Sequence, residues 1–213
     1  MQEFLWDGIK RDRLVWMGDM HPEVMTISHV FGYNEIVPES LDLARDITPL
    51  PGWMSGMYTY SLWWVIVQRD WYKFHGDLEY LKQQRDYLTG LLEILLKKVD
   101  DNGLETSGGG FLDWPSNANQ PAMKAGTQAL MMMTMEAALG AARPYAAAAS
   151  AVAAGNSKQS KMFFGNIFER ALPKAMAKQP AAAHSLRSHI CRLRSIFAEA
   201  HVPGENHFNV FCA

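Results

Sequence analysis

Residues 58–99 read YTYSLWWVIVQRDWYKFHGDLEYLKQQRDYLTGLLEILLKKV, and the change of pattern at the Gly76-Asp77 step decides the fold. Up to His75 the run is apolar on nearly every face of a 3.6-residue turn, with Leu62, Trp63, Trp64, Val65, Ile66, Val67, Trp71, Tyr72 and Phe74 leaving no polar stripe. A helix of that kind must be buried on most sides. Past the break, Leu78, Leu81, Leu88, Leu91, Leu92, Leu95, Leu96 and Val99 recur at steps of three and four, so the second helix carries one apolar face. Asp77 stands where an N-cap carboxylate accepts from the free amides of a first turn. A buried helix followed after one tight step by an amphipathic one is an αα-hairpin, the repeating unit of α-barrels and solenoids.

Toward the N-terminus, Thr48-Pro49-Leu50-Pro51-Gly52 is a loop by its two fixed proline φ angles. Residues 36–47 carry a short apolar pattern around Pro38, and Pro22 suits the first turn of another helix. Toward the C-terminus, the glycines, prolines and asparagines between Asp100 and Ala122 predict a long loop, a feature more often functional than idle. Helical spacing returns at 123–139, with Gly140 as a C-cap. The first 140 residues thus supply two or three hairpins of an all-α fold. No clean repeat period runs through them, which disfavours solenoids built on consensus motifs.

A compositional boundary lies near Gly140. Residues 1–140 hold 19 acidic and 11 basic side chains, net −8, and residues 141–213 hold 3 and 9, net +6. The second stretch has no Asp, opens with an alanine-rich run, and contains four of the seven histidines and both cysteines, Cys191 and Cys212. A shifted reading frame or a spliced fragment would produce such a change; a divergent alanine-rich helical tail is the other reading, and its propensity is adequate.

With 213 residues, 48% hydrophobic and 20% charged, the composition is that of an ordinary globular chain. A net charge of −2 without a Lys/Arg-rich run argues against nucleic acid as a partner. The longest apolar runs fall far short of the roughly 20 residues that cross a bilayer. No His-x-x-x-His pair, cysteine cluster or phosphate-binding glycine loop calls for a metal or another cofactor. Residues 1–7 lack the order of a secretory signal, but the chain could begin inside a larger protein, so the compartment stays open.

The chemistry concentrates in residues 7–19, Asp7-Gly8-Ile9-Lys10-Arg11-Asp12-Arg13-Leu14-Val15-Trp16-Met17-Gly18-Asp19. Three carboxylates are interleaved with cations and one indole. Glycosidic cleavage needs one carboxylic acid to protonate the leaving oxygen and a second carboxylate to activate water or attack. Further carboxylates and an arginine bind hydroxyls by charge-assisted hydrogen bonds, and an indole packs on the apolar side of a pyranose. Without more context, such a mixed-charge stretch beside a helix start reads as solvated surface.

The segment is similar to the signature of the α-L-rhamnosidases, glycoside hydrolase family 78. His21-Pro22-Glu23, residues 53–77 with their Gly-Asp ending, and Gly110-Phe111-Leu112-Asp113-Trp114 resemble later parts of the same catalytic domain, together covering roughly residues 3–140. The resemblance implies an (α/α)6 barrel, of which this chain would close only a part. It implies that Asp7, Arg11, Trp16 and Asp19 line a rhamnose pocket, that Asp12 is the general acid, that Trp114 contacts the sugar and that Asp113 supports the site. Better-known members carry Glu where this sequence has Asp12, and the shorter side chain sets the carboxyl about 1.5 Å further back. The general base falls beyond the matched region; Glu169, Glu199 and Glu205 are the only later carboxylates, and no motif surrounds them.

The implied activity is hydrolysis of terminal α-L-rhamnose with inversion, on a rhamnose-containing glycan or glycoside. A helical-barrel glycosidase for another sugar, and a truncated chain that binds carbohydrate without turnover, are the alternatives. An open barrel leaves apolar helix faces uncovered and so favours self-association.

Overall fold

A computed structural model describes residues 3–8, 10–100, 104–115 and 117–153, excepting the side chains of 142–153. Glu169, Glu199, Glu205, both cysteines and the tail after residue 153 lie outside the described residues. The described residues form five α-helices: α1 (Met17–Val30), α2 (Ile36–Asp46), α3 (Tyr58–His75), α4 (Leu78–Leu96) and α5 (Gln120–Ala153). Among the described residues there is no strand, and the one β-type pairing is the isolated bridge between Asp7 and Leu14. The all-α expectation holds. Described residues between 3 and 98 and between 104 and 143 belong to one compact unit, which carries the hairpins.

The central hairpin forms where the pattern places it. Gly76 ends α3 in the left-handed region at φ +66°, which glycine adopts without Cβ strain. Asp77 Oδ1 then accepts from the Tyr80 amide at 3.0 Å and starts α4. Helix α3 has neighbours on three sides, which is why it is apolar nearly all round. Toward α1, Trp63 stacks on His21 at 5.1 Å, and Asp70 meets His21 Nε2 at 3.2 Å. Toward α2 and α4, the Trp64 indole N–H donates to the Leu41 carbonyl at 3.1 Å and the ring packs on Tyr87. Toward α5, Thr134 Oγ1 donates to the Leu62 carbonyl, and Gly140 leaves room for Arg69, whose Cγ would lie 3.0 Å from a Cβ there.

The even-numbered helices are joined in their turn: Asp42 on α2 accepts from Arg45 at 2.9 Å and from Gln84 on α4 at 2.8 Å. The unit thus centres on α3, which packs against α1 along its length and is joined to α2, α4 and α5 on its other sides. Leu62, Trp64, Ile66 and Trp71 are fully buried in its core, each contributing about 1.5–3 kcal/mol of transfer free energy. Both tryptophans 63 and 64 belong to this packing, Trp63 half-buried.

Two helix limits differ from expectation. Helix α1 starts at Met17, so Pro22 lies inside it rather than in its first turn. Met17 and Met20 are completely buried, and their burial outweighs the one backbone hydrogen bond that Pro22 cannot donate. Helix α5 runs through Gly140 to Ala153 instead of capping there. A helical glycine costs only about 1 kcal/mol relative to alanine, and the alanines that follow favour continuation.

Candidate functional site

The segment before α1 is a tight loop closed by the Asp7–Leu14 bridge, in which the Asp7 amide donates to the Leu14 carbonyl at 3.0 Å. The Gly8 carbonyl accepts from the amides of Arg11, Asp12 and Arg13, at 2.6, 2.9 and 3.3 Å. Gly8 at φ +58° and Arg13 at φ +52° make the two left-handed corners. This puts Arg11 and Asp12 together, with Asp7 at the closure. The Arg11 guanidinium clamps Asp12 through two bonds, Nε to Oδ1 and Nη2 to Oδ2, both 2.7 Å. That clamp, with a further hydrogen bond from Trp16, holds the Asp12 carboxyl below the ordinary carboxylate range.

Trp16 caps α1, its carbonyl accepting from the amides of Asp19 and Met20 at 3.0 Å. Asp19 therefore sits in the first turn, where the helix dipole favours a negative charge. Its carboxyl is nevertheless raised in proton affinity, by burial first and then by the charge of Asp7, while a hydrogen bond from the Tyr60 hydroxyl opposes the rise. Glu23 follows one turn later on the same face of α1. Half-buried, and facing the charges of Asp7 and Asp19, it is pushed up to about 7, with burial the larger cause. Asp7, Asp19 and Glu23 thus lie within electrostatic reach of one another, and Glu23 holds its proton near neutrality. Tyr60, the third residue of α3, is pushed up to about 12 by burial and then by Asp19 and Asp7.

Four aromatic rings run from this cluster to the loop before α5. Trp16 meets Tyr60 edge-on, with centroids 6.1 Å apart and planes at 89°. Tyr60 adjoins Phe111 at 6.4 Å, and Phe111 meets Trp114 at 5.1 Å and 72°. The loop is fixed to α3 by a hydrogen bond from Thr59 Oγ1 to the Phe111 carbonyl. It is fixed to α5 by the Gly110 amide donating to Thr127 Oγ1 at 3.0 Å. Trp114 is 82% exposed, an unusual degree for an indole and a suitable one for an outer wall that a ligand covers.

The starts of α1 and α3 and the loop before α5 are therefore brought together. Asp7, Trp16 and Asp19 come together there, with Asp12 and Arg11 paired on the adjoining loop. Asp113 and Trp114 are exposed on the loop linked to Tyr60 through Phe111. His21 is not at the cluster: it stacks on Trp63 and bonds Asp70. Glu23 and Tyr60 are the residues to which sequence reasoning gives no role. The four-residue step from Asp19 to Glu23 is the available signal for the first; none marks Tyr60 among its apolar neighbours. Among the described residues no group of three or more His, Cys, Asp or Glu side chains is arranged to hold a metal ion, and no helix is long and apolar enough to cross a membrane.

A loop of charged acceptors and donors beside an indole, set at the common end of paired helices, is the residue set that carbohydrate hydroxyls and pyranose faces require. No curated protein and no solved structure gives a match to the chain. A protein family does: residues 1–163 match the bacterial alpha-L-rhamnosidase 6 hairpin glycosidase domain, a span that includes every residue of the cluster and runs past the compositional change near Gly140. The chain belongs to that family of glycoside hydrolases, its helices and carboxylate cluster forming part of a six-hairpin glycosidase domain.

Proposed function

We propose that the cluster binds a terminal α-L-rhamnosyl residue and that the domain hydrolyses its glycosidic bond with inversion. The convergence of Asp7, Asp19 and Glu23 with Trp16 at one end of α1 and α3 is the observation that carries this reading. Asp7 and Asp19 accept from sugar hydroxyls, Arg11 donates to a sugar oxygen, and Trp16 packs on the pyranose. Trp114 closes the outer side, supported by Asp113. Asp12 gives its proton to the glycosidic oxygen as the C1–O bond breaks. Water attacks C1 from the opposite face and passes its proton to a general base supplied from outside residues 3–140. When Arg11 turns from Asp12 to the sugar, the carboxyl loses the charge that keeps it ionised and gains proton affinity, so that binding prepares the acid. Residues 1–140 are the catalytic-domain part in this reading.

The Arg11–Asp12 clamp also favours a second reading, binding without turnover, because it keeps the acid deprotonated in the free protein. Hydrolysis of nitrophenyl α-L-rhamnoside, compared with the α-glucoside and α-mannoside and followed by proton NMR of the released anomer, separates the readings. β-L-Rhamnose as first product is expected. First release of the α-anomer, or preference for either other sugar, overturns the first reading. Binding without product, abolished by Asp7→Ala or Trp16→Ala, establishes the second.

A further inference from the structure

We propose that Tyr60 is the positioning residue of this pocket: its ring seats Gly18 and Trp16, its hydroxyl holds the Asp19 carboxylate, and its far side anchors the 111–114 loop. The inference rests on the sugar-pocket reading above and adds a residue that lies outside the segment 7–19.

Three ring contacts and the placement of the hydroxyl support it. A Cβ at Gly18 would lie 2.4 Å from Tyr60 Cε1 and 2.6 Å from Cζ, inside the van der Waals surface of the ring. Gly18 therefore stands in the motif because the ring occupies the place of its side chain, and the ring fixes the first turn of α1 at the residue between Trp16 and Asp19. The edge-on Trp16 pair, at 6.1 Å and 89°, sets the plane of the indole. Because Tyr60 is only 7% exposed, its hydroxyl needs a partner inside the fold, and the Asp19 carboxyl is the charged group whose proton affinity it influences most directly. Phe111 meets the same ring at 6.4 Å and passes the constraint to Trp114. Phenylalanine would serve the packing alone; tyrosine also aims the carboxylate.

The test compares wild type, Tyr60→Phe and Gly18→Ala on the full chain, with two readouts. Carbon-13 NMR of the Asp19 carboxyl follows its titration without ligand, and calorimetry measures binding of methyl α-L-rhamnoside beside methyl α-D-glucoside. Removing the hydroxyl takes away a bond that favours ionised Asp19, so its titration midpoint moves to higher pH in Tyr60→Phe. Rhamnoside binding weakens about ten-fold, the order expected for a lost hydrogen bond to a charged group. Gly18→Ala displaces the ring from the other side and produces both effects with the tyrosine still present, which keeps the test intact should Tyr60→Phe fold poorly. An Asp19 midpoint unchanged in both variants overturns the proposal whatever the sugar does. A shifted midpoint with no rhamnoside binding by wild type overturns the sugar-pocket reading, and with it the role given to Tyr60. A shifted midpoint with unaltered affinity shows a structural contact only, and also overturns it.

Discussion

Glu23→Gln offers a direct test of the carboxylate cluster, because it needs no substrate. A free glutamate ionises near 4.5, whereas Glu23 in the folded chain does so at about 7, through burial first and then the charges of Asp7 and Asp19. Between those values the folded protein keeps a proton that the unfolded chain has released. Folding therefore binds protons, and the stability Glu23 contributes is fully present below about 4.5 and lost as pH rises to about 7. Taken whole, the gap corresponds to about 3.4 kcal/mol at 1.36 kcal/mol per pKa unit. Water reaches the half-buried carboxyl and screens its neighbours, which brings the expected effect to about 1–1.5 kcal/mol.

Glutamine matches the protonated acid in size and removes the charge. At pH 8.5 the variant should therefore unfold about 2–6 °C above wild type, using about 2–4 °C per kcal/mol for a chain of this length. At pH 5 most of the penalty is absent from wild type, and the two melting temperatures should lie within about a degree. Thermal unfolding followed by circular dichroism at both pH values measures this. A difference of the same size at pH 5 and pH 8.5, or a glutamine variant less stable at the higher pH, would refute the reasoning. In an Asp7→Asn background the alkaline gain should shrink, because one of the two repelling charges has gone.

Asp12→Asn should lower kcat on a rhamnoside with a poor leaving group by about 10²–10⁴-fold while leaving sugar affinity nearly unchanged, and Asp12→Glu should retain activity; full activity in the asparagine variant would remove Asp12 as the acid. Trp64→Ala deletes a fully buried side chain and its 3.1 Å bond to Leu41, and should cost about 3–5 kcal/mol in denaturant unfolding; a loss under about 1 kcal/mol would contradict the packing of α2 on α3. Val30, Phe31, Ile47 and Phe74 are exposed apolar side chains, so the isolated chain should self-associate, seen as a sedimentation coefficient that rises with concentration; one monomeric species throughout would count against it.

Patterns confined to one helix were readable in the sequence, and those set by packing between helices were not. Residues 58–77 give the central hairpin to the residue because the apolar run, the left-handed Gly76 and the Asp77 cap are all local. The start of α1 is not local: Pro22 alone points to a beginning several residues late, since what carries the helix back to Met17 is burial of Met17 and Met20. That single displacement hides the most informative member of the site. If a helix begins near Pro22, Asp19 precedes it and has no fixed relation to Glu23. Once α1 begins at Met17, Asp19 and Glu23 are one turn apart on one face, and their mutual repulsion follows from spacing alone. Tyr60 is hidden differently. In a run apolar on every face nothing distinguishes an aromatic ring seated against the motif segment from one that only fills the core, and only the Gly18 contact separates the two. The motif glycine is thus the trace in the first segment of a side chain some forty residues away. A glycine between an indole and a carboxylate at a helix start is therefore a reason to look for the ring that excludes its Cβ.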